Sequence, residues 1–417
     1  MIDIKKIIEN TKEVEQALLK RLDKGSFNLE EIIKLENERK NLTTNLEALQ
    51  AKRNEFSHKR PDKKTIEEMK ELAQKIKDKE TQLKQLKLNL FEKVSALPNL
   101  PADDVKAGDK ENNEVIYTFK AKPELDFKAK DHVELAKELD IIDYERATKM
   151  SGNGFWGYKG AGAWLEWSLL NFFMDYHEAN NYQMLLLPYL LNEDSAFASG
   201  HLPKFRDDLY WTQDKICLNA TAEMMLTNYH RDEILFEKDL PKKYFSYATS
   251  FRREAGSYRK EERGMIRGHQ FNKVEIFQFT KPENSWQAFS DMNEEIKKMM
   301  ETLDLHFQVS KLAAKDASAA MAKTYDVEVW IPSMNIYKEV SSISNATDYQ
   351  ARRAKIRYKS ENTGKNEFLH TLNASGLATS RLIPAILEQN QRADGSVIIP
   401  KVLHEYLPEK YQILKSV

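Results

Sequence analysis

Residues 28–97 carry the most regular hydrophobic pattern in the chain. Leu35, Leu42, Leu49 and Phe56 recur every seven residues, with Leu46 on the complementary seam position. A second register follows at Met69, Ile76, Leu83 and Leu90, with Leu72 and Leu86 on its other seam. This spacing, amid dense charge and with almost no Gly or Pro, predicts two heptad helices over about 28–58 and 64–97. Pro61, in His58-Lys59-Arg60-Pro61-Asp62, has no amide proton and cannot sit inside a helix, so it marks a turn. Each helix of about 30 residues is about 45 Å long at the usual rise per residue. Equal lengths around a short turn predict an antiparallel coiled-coil hairpin. Such a hairpin serves either as a dimerisation rod or as an arm that reaches a partner. The basic tip (Lys52, Arg53, His58, Lys59, Arg60, Lys63 and Lys64) favours an arm touching phosphates over a solvated tip.

On either side of the hairpin the pattern changes. Residues 1–27 read as a short helical lead-in broken at Gly25 and Ser26. The stretch LPNLPADDV, from Leu97 to Val105, has two prolines and two aspartates and reads as a linker, dividing a domain of residues 1–102 from one of residues 103–417. Beyond it the heptads vanish and aromatics rise. Helical stretches around 164–180, 284–304 and 377–392 alternate with the strand-like runs YQMLLLPYLL, KVEIFQF and YDVEVWIP. Connections of hairpin type predict an α+β domain, an antiparallel β-sheet flanked by helices.

Composition narrows the function classes. The chain has 417 residues and a net charge of −1, so polyanion binding must come from local patches. Its single cysteine, Cys217, rules out a disulfide framework and a multi-thiolate zinc site made from this chain alone, and fits a reducing compartment. MIDIKKIIEN lacks the apolar core of a signal peptide, and no run approaches the length of a membrane span. A cytoplasmic protein with no membrane contact is expected. GxxxxGK[ST], GxGxxG after a strand, HExxH and GxSxG are all missing. An enzyme of this sequence that uses a nucleotide must therefore grip phosphates with arginines from a sheet.

One stretch offers such arginines. FRREAGSYRKEERGMIRGHQFNKVE, from Phe251 to Glu275, reads as two strands joined by a loop with charges of both signs. It is either a solvated loop or a hairpin that holds a polyanion. The stretch resembles motif 2 of class II aminoacyl-tRNA synthetases, in the form found in seryl-tRNA synthetases. The resemblance then extends over nearly the whole chain. NYQMLLLPYLL (181–191) with Pro188 looks like motif 1, the dimer-interface motif, and ASGHLPKFRDDLY (198–210) is similar to the family's GQLPKF segment. NATAEMMLTNYHRDEIL (219–235) matches its Thr-Ala-Glu loop. KTYDVEVWIPSMNIYKEVSSISNATDYQARR (323–353) is near the family consensus, and LHTLNASGLATSRLIPAILEQNQ (369–391) looks like motif 3. The heptad hairpin looks like the family's tRNA-binding arm.

The resemblance implies an enzyme that activates L-serine with ATP and transfers it to the terminal ribose of tRNA(Ser), and of tRNA(Sec) where that exists. It implies a homodimer with a Mg²⁺ requirement and no zinc. Arg252, Arg381 and Glu339 are the implied catalytic residues. ATP falls to Arg252, Arg253, Glu254, Phe271, Glu339, Val340, Ser341, Ser342 and Arg381. Within that set Glu254 would accept from the adenine amino group, Phe271 would stack on one adenine face, and Arg381 would cover the other. Glu339 and Ser342 would hold the metal, because Mg²⁺ prefers oxygen ligands shared with phosphates. Serine falls to Thr221, Ala222, Glu223, Arg252, Glu275 and Ser375. tRNA falls to Arg53, Lys59 and Arg60 in the arm and to Arg259 and Lys260 in the motif 2 loop. That loop departs from the family: Tyr258-Arg259-Lys260-Glu261-Glu262 stands where many relatives carry Gly-Arg-Asp-Thr. Ala374 and Ser380 stand where Gly is frequent, and both are small. Two other readings compete: a synthetase-like ligase loading a carrier protein, and a catalytically degenerate RNA-binding paralogue. A complete arm argues against the first, and the presence of Arg252, Glu254, Glu339 and Arg381 against the second.

Overall fold

A computed structural model describes residues 1–56, 63–254 and 264–416. The chain divides into two compact units, Met1–Leu100 and Pro101–Val417.

The first unit is helical. α1 spans Leu29–Phe56 and α2 spans Lys63–Ala96, within a few residues of the heptad prediction. Asn28 starts α1, its Oδ1 accepting from the Glu31 amide at 3.0 Å. Leu46 packs with Leu72, Ile76 and Leu83 along the seam, with Leu42 and Leu49 beside them. At the other end Leu29 and Ile32 meet Leu90 and Val94, so the start of α1 lies against the end of α2 and the pair is antiparallel. Two short lead-in helices, Ile4–Glu9 and Thr11–Leu19, close this end through Ile7, Val14 and Leu18. Each leucine taken from water here contributes about 2 kcal/mol. Arg53 is exposed. The expected turn and the tip residues Lys59 and Arg60 lie outside the described residues.

The second unit is built on an eight-stranded sheet. Its strands are β1 (Glu114–Phe119), β2 (Gln183–Met184), β3 (Lys242–Phe251), β4 (Gln270–Thr280), β5 (Phe307–Lys311), β6 (Lys323–Ile331), β7 (Ile336–Thr347) and β8 (His370–Ala378). They lie in the order β1-β5-β6-β7-β8-β4-β3-β2. Every pairing is antiparallel except that of the short edge strand β2 with β3. This is the predicted α+β architecture. Three long helices cover one face: α3 (Ala161–Ala179), α4 (Ser285–Thr302) and α5 (Thr379–Gln389). Their apolar sides meet Val274, Ile276, Val327, Val329 and Leu372 from the sheet in one large core. On the opposite face Phe277 and Phe279 pack in a second core with Met224, Met225 and Ile356. Residues of β4 thus alternate between two buried faces, which is why KVEIFQF reads as almost continuously apolar.

The run YQMLLLPYLL departs from its strand prediction. Only Gln183–Met184 and Leu190–Leu191 are strands, and Leu186 between them is 72 % exposed. Pro188 cannot donate to a ladder; Leu186 and Leu190 are exposed, whereas Leu191 is buried in the second core and Leu185 and Leu187 pack against it. Cys217 is buried, its Sγ facing the Leu191 carbonyl at 3.5 Å. Among the described residues, no helix is long and apolar enough to cross a membrane.

Candidate active site

The face of the sheet opposite the three long helices opens into a cavity of about 500 Å³, with an adjoining recess of about 50 Å³. Strands β4, β7 and β8, the start of α5, and the connecting segments at residues 201–209, 220–223 and 252–254 supply most of its walls. Side chains alternate along a strand, so Phe271, Lys273 and Glu275 of β4 all reach this face.

The buried end is a hydrogen-bonded network in which one acceptor, Oδ1 of Asn373, is buried without a hydrogen bond among the described residues. Glu275 is 1 % exposed, and its Oε2 lies 2.5 Å from Nζ of Lys273. Lys273 also donates to Oγ1 of Thr221 at 2.7 Å, and Nδ2 of Asn373 donates to Oε1 of Glu275 at 3.0 Å. Glu223 stands nearby, held by Nε2 of Gln350 at 2.7 Å. Burial, and then the neighbouring Glu275, push its pKa up to about 7. His201 also lines the cavity; burial, with Arg252 and Lys273 nearby, lowers its pKa to about 3, so the imidazole is neutral.

The open end is built of arginines. Arg252 follows directly on β3; its amide donates to the His269 carbonyl at 2.9 Å, which fixes the backbone where the strands part. Its Nε donates to the Ala220 carbonyl at 3.2 Å, and its guanidinium lies 5.1 Å from the centre of the Phe271 ring. Arg381, in the first turn of α5, donates from Nη1 to the Glu339 carbonyl at 2.9 Å and from Nε to the Ile266 carbonyl at 3.2 Å. Glu254 has a left-handed backbone, with φ of 52°. Its Oε2 takes two contacts from Arg267, 2.6 Å from Nε and 2.5 Å from Nη2. A planar guanidinium fits a carboxylate or a phosphate through such paired bonds.

Glu339 and Ser342 pose a geometric puzzle, because residues three apart on a regular strand face opposite ways. A bulge resolves it. Val327 pairs with Ser341, but the next residue, Glu328, pairs with Glu339, leaving Val340 unmatched. Both Glu339 and Ser342 then line the cavity. Across the ladder from Ser342 lies Asp326, buried, with Oδ1 lacking a hydrogen bond among the described residues. Burial and the nearby Glu339 hold its pKa well above the carboxylate range.

Arg252, Glu254, Phe271, Glu339, Val340, Ser342, Arg381, Thr221, Glu223, Glu275 and Ser375 all line the cavity or its recess. Three expected residues do not. Arg253 donates to the Asp207 carbonyl, Ala222 is buried in its helix, and the Ser341 hydroxyl is used by the Ser375 carbonyl. Arg259 and Lys260 lie outside the described residues. Sequence reasoning missed Lys273 and Asn373. Each stands two residues before an expected one, Glu275 and Ser375, so strand periodicity was the signal that could have found them.

Comparison with known proteins supplies the context for this cavity. Residues 1–101 match the seryl-tRNA synthetase N-terminal domain, and residues 204–390 match the tRNA synthetase class II core domain (G, H, P, S and T). A serine–tRNA ligase of Clostridium acetobutylicum is 50 % identical over 98 % of this chain and 99 % of its own length. The chain belongs to the seryl-tRNA synthetase family. It is therefore a class II aminoacyl-tRNA synthetase by sequence and by fold. A serine–tRNA ligase of Trichlorobacter lovleyi is 42 % identical over 98 % of both chains. The crystal structure of a Pyrococcus horikoshii seryl-tRNA synthetase complexed with ATP superposes with a TM-score of 0.92, at 32 % identity and full coverage of both chains. A Naegleria fowleri serine–tRNA ligase in complex with AMP gives 0.89 at 25 % identity.

Proposed function

We propose that the family's serine–tRNA ligation runs in this cavity, with the arginines serving ATP and the buried network serving serine. The observation that carries the reading is the convergence of Arg252 and Glu275, from the β3–β4 hairpin, and Arg381, from α5, on one cavity. In the first step a serine carboxylate oxygen attacks the α-phosphorus of ATP. The bond to pyrophosphate breaks, giving seryl-adenylate and pyrophosphate. The nucleophile is already ionised at pH 7 and needs no general base. Catalysis is then positioning and charge stabilisation. Arg252 holds the α-phosphate and the serine carboxylate, Phe271 stacks on adenine, and Arg381 meets the outer phosphates. Each arginine exchanges a backbone carbonyl for a phosphate oxygen. Glu254 accepts from the adenine amino group, sharing its carboxylate with Arg267. In the second step a terminal ribose hydroxyl of the tRNA attacks the seryl carbonyl, loses its proton, and AMP leaves.

Glu275, Thr221 and Glu223, with Lys273 and Asn373, receive the serine hydroxyl and ammonium. A pocket already committed to hydrogen bonding rejects alanine, which would leave buried polar groups unpaired. Mg²⁺ fits the all-oxygen set of Glu339 and Ser342, which line the same cavity as the arginines. When bound it would neutralise phosphate charge. The helical first unit serves as the arm for the variable region of tRNA(Ser), and of tRNA(Sec) where present. A homodimer is supported by Trp164 and Trp167 on α3, 50 % and 51 % exposed, and by Leu186 and Leu190. The reaction takes place in the cytoplasm, where its partners are.

ATP–pyrophosphate exchange with a panel of amino acids tests the assignment. Exchange that needs serine and Mg²⁺, and is far weaker with alanine or threonine, is expected. A folded protein with no exchange on any amino acid overturns it. Deleting residues 28–97 is expected to leave exchange intact and abolish tRNA charging; unchanged charging would refute the role of the arm.

A further inference from the structure

Behind the strand that carries Phe271, Lys273 and Glu275, one buried carboxyl group has no part in the chemistry above. Glu166, on α3, is 3 % exposed. Its Oε1 accepts two hydrogen bonds of 2.7 Å, from Nδ2 of Asn272 and from Oγ1 of Thr379. Its Oε2 is buried without a hydrogen bond among the described residues. Burial raises its pKa to about 7.

The two donors belong to the two elements that frame the open end of the cavity. Asn272 stands between Phe271 and Lys273 on β4 and faces the opposite side of the sheet from them, against α3. Its Oδ1 is fixed in turn by the hydroxyls of Thr249 at 3.0 Å and Tyr247 at 3.2 Å on β3. Thr379 is the first residue of α5, two before Arg381, and its hydroxyl also reaches the Asn272 carbonyl at 3.2 Å. A leucine at position 166 would fill the same space without the cost of burying a carboxyl group. Packing alone therefore does not explain an acid here.

We infer that Glu166 is a positioning residue for ATP: it ties the strand bearing Phe271 to the helix bearing Arg381 and so sets the gap that the nucleotide occupies. The inference rests on the proposed assignment of Phe271 and Arg381 to ATP. Serine meets a different part of the molecule, the network around Glu275, which Glu166 does not touch. Loss of the tie therefore separates the two substrates.

The test is ATP–pyrophosphate exchange on the full chain, with KM measured separately for ATP and for serine. Glu166→Ala is expected to raise KM for ATP about tenfold, since small misplacements at a reacting centre carry large costs, with KM for serine unchanged. Glu166→Gln is expected to restore wild-type values, because the amide oxygen accepts both hydrogen bonds. Thr379→Val, nearly isosteric, removes one donor and is expected to raise KM for ATP by a smaller factor; it carries the test if Glu166→Ala does not fold. Phe271→Ala and Arg381→Ala serve as controls. If they raise KM for ATP while Glu166→Ala and Thr379→Val leave it unchanged, the tie is refuted. Equal losses for ATP and serine, or failure of Glu166→Gln to restore ATP, also refute it. If the two controls themselves leave KM for ATP unchanged, the ATP assignment is what fails, and the inference falls with it.

Discussion

At the buried end of the cavity Lys273, Glu275, Thr221 and Asn373 are linked by three contacts of 3.0 Å or less, with Oδ1 of Asn373 left open among the described residues. At the open end Arg252 and Arg381 lean on backbone carbonyls of Ala220, Glu339 and Ile266, and Arg381 also makes a 3.4 Å ion pair with the part-exposed Glu339 carboxylate, partners that can be given up without stranding a buried charge. On the proposed assignment, one end is preorganised around a small polar ligand of fixed shape, and the other keeps its cations available for a large anionic one. A preorganised network costs little to reorder when substrate arrives, and it discriminates through what it would leave unpaired. Loosely held guanidiniums discriminate little but bind phosphate strongly, through paired charge-assisted hydrogen bonds.

Arg252 stands where the two ends meet, so its loss should be felt by both substrates. Arg252→Ala is expected to reduce serine-dependent exchange about a thousandfold, the scale of removing a donor aimed at developing charge. The fold should survive, because the guanidinium is only half-buried and one backbone contact is lost. Near-normal exchange would dissolve the idea of a shared residue between the two ends.

Glu275 tests the buried end alone. Glu275→Gln leaves the Lys273 ammonium buried without its counter-charge, a loss of about 3 kcal/mol in stability. It is expected to lower kcat/KM for serine about a hundredfold while KM for ATP stays near wild type. Denaturant unfolding and exchange kinetics on the same preparation check both halves. An equal rise in both Michaelis constants would show that the ends are not independent.

The same contrast explains what could be read from the sequence. The helix pair was legible because Leu46, Leu72, Ile76 and Leu83 face a single partner, and one seam writes one period. The helices α3 and α4 were legible for a similar reason, each turning one broad side to the core, whereas α5 is buried at nine of its eleven residues and reads as an apolar run. The site was legible largely through motif resemblance, because its residues come from strands whose both faces are buried and whose hydrophobic pattern is nearly continuous. Glu339 and Ser342 could not be placed on one face by alternation, since that depends on the unmatched Val340. Glu166 was hidden inside an apolar helix, where its partners on β4 and α5 are distant in sequence by 106 and 213 residues. Leu186 and Leu190 misled in the other direction: two leucines of an apolar run are exposed although Leu191 beside them is buried, and Pro188 interrupts the ladder.

The smallest of the expected effects is also the one that separates binding from packing most cleanly. Phe271 and Phe277 lie on the same strand and the same face, six residues apart. Phe277 is fully buried in the second core, whereas Phe271 is half-buried in the recess with Arg252 against its ring. Truncating a buried phenylalanine costs about 3–5 kcal/mol in stability, so Phe277→Ala should be strongly destabilised. Phe271→Ala should lose much less stability, since its ring gives up less protein contact. Its cost should appear in ATP instead: stacking of a base on an aromatic ring contributes about 1–3 kcal/mol, which predicts a rise in KM for ATP of about tenfold with KM for serine unmoved. If Phe271→Ala instead matches Phe277→Ala in stability and leaves KM for ATP unchanged, the ring is core. The open end would then hold adenine by some surface other than β4.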